Sequence, residues 1–225
     1  MPRLLGENVR RSATAFHEAG HSLAAIREGR RIGHVSVSRR NPGSGYVHFM
    51  EDVQRQCPHD PTLGPGSAVA AWQHSLAVSL SDIRILLTGP LAEAKALGQS
   101  MRVAHAHADF RECHAIAGHL DARWDALAEY TALPGFRVAD VLNEQRAHVR
   151  RWLGRPKAWT VIQRIANALE HRAVLDKTDV TRELLAVYSP PAQKDLMFYD
   201  FIPRGPYHNS QSHSRGISAS RSVGA

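Results

Sequence analysis

The chain of 225 residues has little cysteine, little lysine and no long uninterrupted apolar run. Its two cysteines, Cys57 and Cys113, do not form a CxxC pair, which argues against a disulfide framework. Without an apolar run of about 20 residues, we expect no transmembrane segment. The first residues also lack the apolar core of a signal peptide. These absences predict a cytoplasmic protein.

Two further absences limit the function. No Gly-x-x-x-x-Gly-Lys-Ser/Thr segment occurs, so the sequence contains no P-loop for ATP. The net charge of +7 comes mainly from arginine, but no basic surface interleaved with aromatic residues is evident. We interpret the positive charge as a solubilising excess and do not expect nucleic acid as a partner.

The most informative segment that is present is His17-Glu18-Ala19-Gly20-His21, a His-Glu-x-x-His pattern. Positions i and i+4 of a helix share one face, so His17 and His21 can bind one metal ion. Glu18 would then lie beside that ion, where a carboxylate can take a proton from a metal-activated water. The pattern is typical of zinc peptidases, and it predicts one Zn²⁺ per chain.

Periodicity predicts a mainly α fold with a small β-hairpin directly after the motif helix. The first helix is expected from Ser12 to Glu28, followed by strands over 32–38 and 46–49. From Ser67 onward the chain is expected to be helical, with a break at Gly89-Pro90 and with Thr178 as the N-cap of the last helix. The prolines of residues 51–66 predict a loop.

We expect three parts along the chain. Residues 1–11 form an N-terminal extension, and residues 12–188 form the peptidase domain. Residues 189–225 begin with Ser189-Pro190-Pro191 and are poor in apolar residues towards their end. Because such a segment buries too little apolar surface to offset its ordering entropy, we predict a disordered basic tail.

The motif does not identify the third metal ligand. A catalytic zinc site usually has three protein ligands and one open position. The densest group of candidates is His105-Ala106-His107-Ala108-Asp109. Histidine and aspartate are both acceptable to zinc, so the spacing alone leaves His105, His107 and Asp109 open.

The sequence resembles the peptidase domain of the FtsH family of ATP-dependent zinc proteases over residues 12–185. Four segments share features with that family: the HEAGH motif, a strand-turn-strand unit with a Gly-Tyr pair, a Gly-x-x-Ala-Glu helix, and a segment around an aspartate. They are 15–21, 35–47, 86–93 and 108–117. The resemblance implies that Asp109 is the third zinc ligand, although Ala108 stands where the family often has asparagine.

The resemblance also implies an activity. We expect a zinc-dependent endopeptidase that acts on peptides or unfolded protein segments and is ATP-independent on its own, with a separate ATPase or adaptor as a candidate partner. The strand around Gly45, Tyr46 and Val47 is a candidate substrate-binding edge, although ordinary hairpin packing would explain Tyr46 equally well. Glu93 is interpreted as a surface charge rather than a neighbour of the metal.

Two other functions fit the same residues. One is a regulatory protease of the repressor-cleaving type, with a His-Glu-x-x-His motif but a different third-ligand region. The other is a non-catalytic interaction module stabilised by zinc. Full activity after Glu18→Gln would exclude the general-base role of Glu18. Salt-dependent nucleic-acid binding without proteolysis would favour the interaction module.

Overall fold

The structure is a computed structural model that describes residues 2–50, 65–100, 107–128 and 137–188. The described residues form six helices and three strands. In chain order they are α1 (Pro2–Arg27), β1 (Ile32–Val37), β2 (Gly45–Phe49), α2 (Pro65–Ala96), α3 (His107–Ala128), α4 (Val138–Leu153), α5 (Pro156–Arg172), β3 (Val174–Asp176) and α6 (Lys177–Leu185). The prediction of a mainly α fold is confirmed. The predicted loop between the hairpin and α2 and the predicted tail lie almost entirely outside the described residues.

Helix α1 is longer than the sequence indicated. Its helical conformation begins at Pro2 rather than at Ser12, so most of the expected extension continues the motif helix. Proline is well suited to the first turn because its missing N–H would have no partner there. Residues Ala15, Ala19 and Leu23 of α1 are fully or almost fully buried, so the side of the helix that carries them packs against the core.

Helices α1 and α2 pack at very short distance. A Cβ atom added to Gly20 would lie 2.8 Å from the Thr88 carbonyl oxygen and 2.9 Å from Ala92 Cβ. Such distances are shorter than real Cβ contacts, so only glycine fits at this crossing. Glu28, the residue directly after α1, forms a bidentate ion pair with Arg84 of α2, at 2.6 and 2.9 Å.

The predicted break at Gly89-Pro90 is wrong. Helix α2 is continuous from Pro65 to Ala96 and contains Pro90. Proline cannot donate to the carbonyl of Leu86, which normally ends or kinks a helix. Here the buried side chains before and after it, including Leu87 and Leu91, hold both halves against α1 and the core.

The strands form a three-stranded antiparallel sheet in the order β2-β1-β3. The predicted hairpin is confirmed, with Val37 opposite Gly45 and Val35 opposite Val47. Strand β3 was not predicted, because three residues between two helices carry no alternating pattern. Its Leu175 lies opposite Val35 and is fully buried, so β3 adds a side chain to the core on the inner face of the sheet.

The C-terminal helices complete the core. Helix α5 contributes five fully buried side chains: Val161, Ile162, Ile165, Ala166 and Leu169. The N-cap of α6 is Asp176 rather than Thr178, and its side chain accepts a hydrogen bond from the Asp179 backbone N–H at 2.8 Å. Asp176 also belongs to β3, so the short strand fixes where α6 begins.

One segment of α2, Val69–Ala96, is long and apolar enough to cross a membrane if judged by length and composition alone. In the structure, 61% of its most apolar window is buried against the rest of the chain. This burial favours the role of a central core helix.

Gly20→Ala is expected to destabilise the fold by about 1–3 kcal/mol, because the added methyl group would force α1 and α2 apart. Gly6→Ala is the matched control in the same helix. Nothing lies within 4 Å of a Cβ at Gly6, so this change should stabilise the helix by about 0.5–1 kcal/mol. Urea unfolding of the metal-free proteins measures both changes. Equal effects of the two substitutions would contradict the close-packing argument.

Candidate metal centre

The predicted site residues line one cleft of about 800 Å³ between α1, α2, α3 and the hairpin. The motif residues His17, Glu18 and His21 lie on its floor, and Asp109 enters from the first turn of α3. The turn before β2 and the strand itself form one wall. The structure therefore brings together the residues that the sequence proposed from three separate segments.

The two histidines are oriented by hydrogen bonds at their outer nitrogens, the Nδ1 atoms that face away from the candidate metal site. His17 Nδ1 lies 2.9 Å from Glu93 Oε2, and His21 Nδ1 lies 2.8 Å from the Ile85 carbonyl oxygen. Both partners accept hydrogen bonds, so each Nδ1 is the protonated donor. When the imidazoles are neutral, as metal binding requires, the lone pairs of the two Nε2 atoms are directed into the cleft, which is the usual arrangement of metal-binding histidines.

Asp109 supplies the third candidate ligand. Its Oδ2 lies 3.0 Å from His17 Nε2 and 3.6 Å from His21 Nε2, while the two Nε2 atoms are 2.9 Å apart. The ligand atoms of the three residues all lie within 4.8 Å of one another, so the group can hold a metal ion. Of the alternatives, His105 lies outside the described residues, and His107 begins α3 with a side chain that is not described.

The surroundings of His17, His21 and Asp109 stabilise positive charge. Burial by itself lowers the pKa of His17, but hydrogen bonds to Asp109 and Glu93 and the nearby Glu18 charge raise it to about 10. Burial raises the pKa of Asp109, but its hydrogen bonds to His17 and His21 bring it well below its ordinary value. A site that favours a proton this strongly without metal has the charge that a bound cation requires.

Glu18 lies beside the three-residue group and is only 6% exposed. Burial raises its pKa above the ordinary value, although the neighbouring His21 and His17 oppose that shift. Its carboxylate is close to β2, because a Cβ atom at Gly45 would lie 2.8 Å from Glu18 Oε1. Only glycine allows the strand to come this near to the carboxylate.

Glu93 is not a surface residue, and that interpretation is wrong. Its side chain is 6% exposed and holds the outer nitrogen of His17. Gly89, one turn earlier on α2, faces His21: a Cβ there would overlap the imidazole atom Nε2. The sequence contained a signal that Gly89 and Glu93 lie together, since residues four apart share a helix face. The expected helix break at Pro90 concealed it, because it placed the two residues in different segments.

The candidate substrate-binding residues lie on the edge strand β2. Ser38 donates its backbone N–H to the Ser44 carbonyl oxygen at 2.7 Å. Hydrogen-bonded and non-hydrogen-bonded pairs alternate along an antiparallel ladder, so Ser36 and Tyr46 form the next bonded pair. The backbone N–H and C=O groups of Gly45 and Val47 therefore point away from β1, and no other described strand pairs with them.

Among the other described histidines, His34 and His48 lie on the sheet, whereas His74 Nε2 is buried without a hydrogen-bond partner. His34 Nε2 lies 3.0 Å from the Tyr46 hydroxyl, and its ring stacks on His48 on the outer face of the sheet. Tyr46 is 56% exposed there, so its side chain points away from the core. Within the described ranges, the group of His17, His21 and Asp109 is the only set of three such side chains close enough to hold a metal.

No protein-family model and no curated protein matches this sequence.

Asp109→Ala is expected to lower the Zn²⁺ content of the reconstituted protein from about one per chain to well below that value. Loss of one of three ligands removes both a bond and the negative charge that favours a cation. Elemental analysis after gel filtration measures the content. Asp125→Ala, an exposed substitution on the same helix, is the control. Unchanged zinc in the Asp109 variant would place the third ligand elsewhere.

Glu93→Gln is expected to weaken Zn²⁺ binding by about 10–100-fold, because the amide is a poorer acceptor for the His17 Nδ1–H. Competition with a chromogenic chelator measures the affinity. Glu144→Gln, at an exposed position of α4, should leave it unchanged. Equal affinities of the Glu93 and Glu144 variants would show that Glu93 does not support the ligand.

Proposed function

We propose that the protein is a zinc-dependent endopeptidase that cleaves peptides and unfolded protein segments. The observation that carries this proposal is the position of Glu18. Its buried carboxylate lies between a group that can hold a metal ion and a strand edge that can hold a peptide backbone. Metal-assisted hydrolysis of a peptide bond combines a metal site, a general base and a surface that holds the substrate at one place.

The donor set favours zinc as the metal. Two imidazole nitrogens and one carboxylate oxygen, with a further position open to the cleft, are typical of catalytic zinc sites. Ligand atoms around a tetrahedral zinc lie roughly 3.3 Å apart, given bond lengths of about 2.0–2.1 Å. The corresponding distances among His17, His21 and Asp109 are 2.9, 3.0 and 3.6 Å. Small side-chain shifts would therefore suffice for binding.

Bound Zn²⁺ would lower the pKa of a water molecule and polarise the carbonyl of the bond to be cleaved. Glu18 accepts the proton of the attacking water and passes it to the leaving nitrogen. His17 and His21 keep the geometry because Glu93 and the Ile85 carbonyl hold their outer nitrogens.

Strand β2 explains how a substrate of varied sequence could be held. The outward N–H and C=O groups of Gly45 and Val47 would pair with an extended peptide as an added strand. Such pairing recognises the backbone of the substrate rather than its side chains. It therefore requires a substrate segment that is not already folded. Since the sequence has no P-loop, a separate ATPase or adaptor is the proposed source of unfolded substrates.

Glu18→Gln is expected to reduce the rate of peptide hydrolysis by about 10²–10⁴-fold while the zinc content stays near one per chain, because glutamine cannot accept the proton. Cleavage of a quenched fluorescent peptide by zinc-loaded protein, together with elemental analysis, measures the two quantities. Glu144→Gln again serves as the control. Full activity of the Glu18 variant would exclude the general-base role. Absence of hydrolysis by the zinc-loaded parent would favour a non-catalytic zinc module.

A further inference from the structure

The cleft continues beyond the metal group along the N-terminal half of α1, where Val9, Arg10 and Ala13 line it. Among the described lining residues, Arg10 is the only arginine or lysine. It is exposed, and within the described part of the chain its guanidinium makes no ion pair or hydrogen bond. The acidic lining residues are Asp109, which belongs to the candidate metal group, and Glu18 and Glu93, which lie beside that group. The cleft therefore has a negative centre and a separate positive end.

Helix geometry gives the distance between these two ends. Arg10 lies seven positions before His17, which is almost two full turns, so both face the same side of α1. The rise along the helix is roughly 10 Å over that interval. An extended peptide advances about 3.3 Å per residue. A substrate whose cleaved bond lies at His17 and His21 would thus place its third residue from that bond beside Arg10.

Strand β2 extends in the other direction. It begins with Gly45 beside Glu18 and ends with Phe49, whose ring lies under the Arg30 guanidinium at 4.2 Å. Arg30 follows the C-terminal end of α1, whereas Arg10 belongs to its N-terminal half. A bound peptide would therefore pair with β2 on one side of the cleaved bond and reach Arg10 on the other side.

We propose that Arg10 selects substrates with an aspartate or glutamate about three residues from the cleaved bond, on the side that does not pair with β2; this inference rests on the proposed peptidase function. The carboxylates of Glu18, Glu93 and Asp109 disfavour an acidic side chain next to the bond itself. The selected position is therefore distinct from the reacting centre, and its contribution should fall as ionic strength rises.

The test is cleavage of a diverse peptide library by zinc-loaded protein at low salt, with the cut sites identified by mass spectrometry. The parent should enrich acidic residues about three positions from the cut on one side, by roughly two- to fivefold, as expected for an exposed ion pair. Arg10→Ala should lose this enrichment, and Arg10→Glu should instead enrich lysine and arginine there. Arg11→Glu is the matched control, because Arg11 does not line the cleft.

A reversed preference in Arg10→Glu is not expected from a purely structural role of the residue. The inference is overturned if the parent shows no acidic preference, or if Arg10→Glu keeps it. It is also overturned if Arg11→Glu changes the preference as strongly as Arg10→Glu.

A second readout separates this inference from the proposed function. If the zinc-loaded parent cleaves no peptide, the peptidase proposal fails, and fluorescence anisotropy of a labelled acidic peptide and its lysine-substituted counterpart then tests Arg10 alone. Metal-free parent should bind the acidic peptide more tightly, and Arg10→Glu should reverse that order. Equal binding of the two peptides by the parent would overturn the role of Arg10 as well.

Discussion

The close crossing of α1 and α2 is the contact on which the candidate site depends. Gly20 lets α1 approach the Thr88 carbonyl, and Gly89 provides the space that the His21 ring occupies. At this distance α2 can present Glu93 to His17 and the Ile85 carbonyl to His21. A side chain at either glycine would separate the helices, and the two imidazoles would lose the partners that orient them.

The electrostatics of the site follow from this packing. Burial removes water from Glu18, Glu93 and Asp109, and unpaired carboxylates in such a place would be costly. The protonated His17 compensates them without metal, which is why its pKa is raised to about 10. A metal ion bound by His17, His21 and Asp109 would supply the same positive charge. The excess of acceptors around two imidazoles is thus a reason for a cation to bind there.

Local patterns in the sequence predicted much of the fold and of the site. Apolar periodicity indicated the mainly helical character of the chain from Ser67 onward and the hairpin after the motif helix. The spacing of His17 and His21 indicated a shared face, and Asp109 followed from the resemblance rather than from spacing. Local patterns failed where long-range packing overrode them. Pro90 indicates a helix break, yet the buried side chains before and after it keep α2 continuous. Strand β3 is too short to be recognised from the sequence without its partner β1.

The sequence by itself determined which groups are available for chemistry: the His-Glu-x-x-His spacing on one helix, an aspartate opening another, and no P-loop. Those features depend only on the residue types and on the helical repeat, so they are determined by residues close together in the sequence. Only the tertiary structure decided that Glu93 supports His17, that Gly45 brings an open strand edge to Glu18, and that Arg10 lines the same cleft. These relations join segments far apart in the chain, so they depend on how the helices and the sheet pack together.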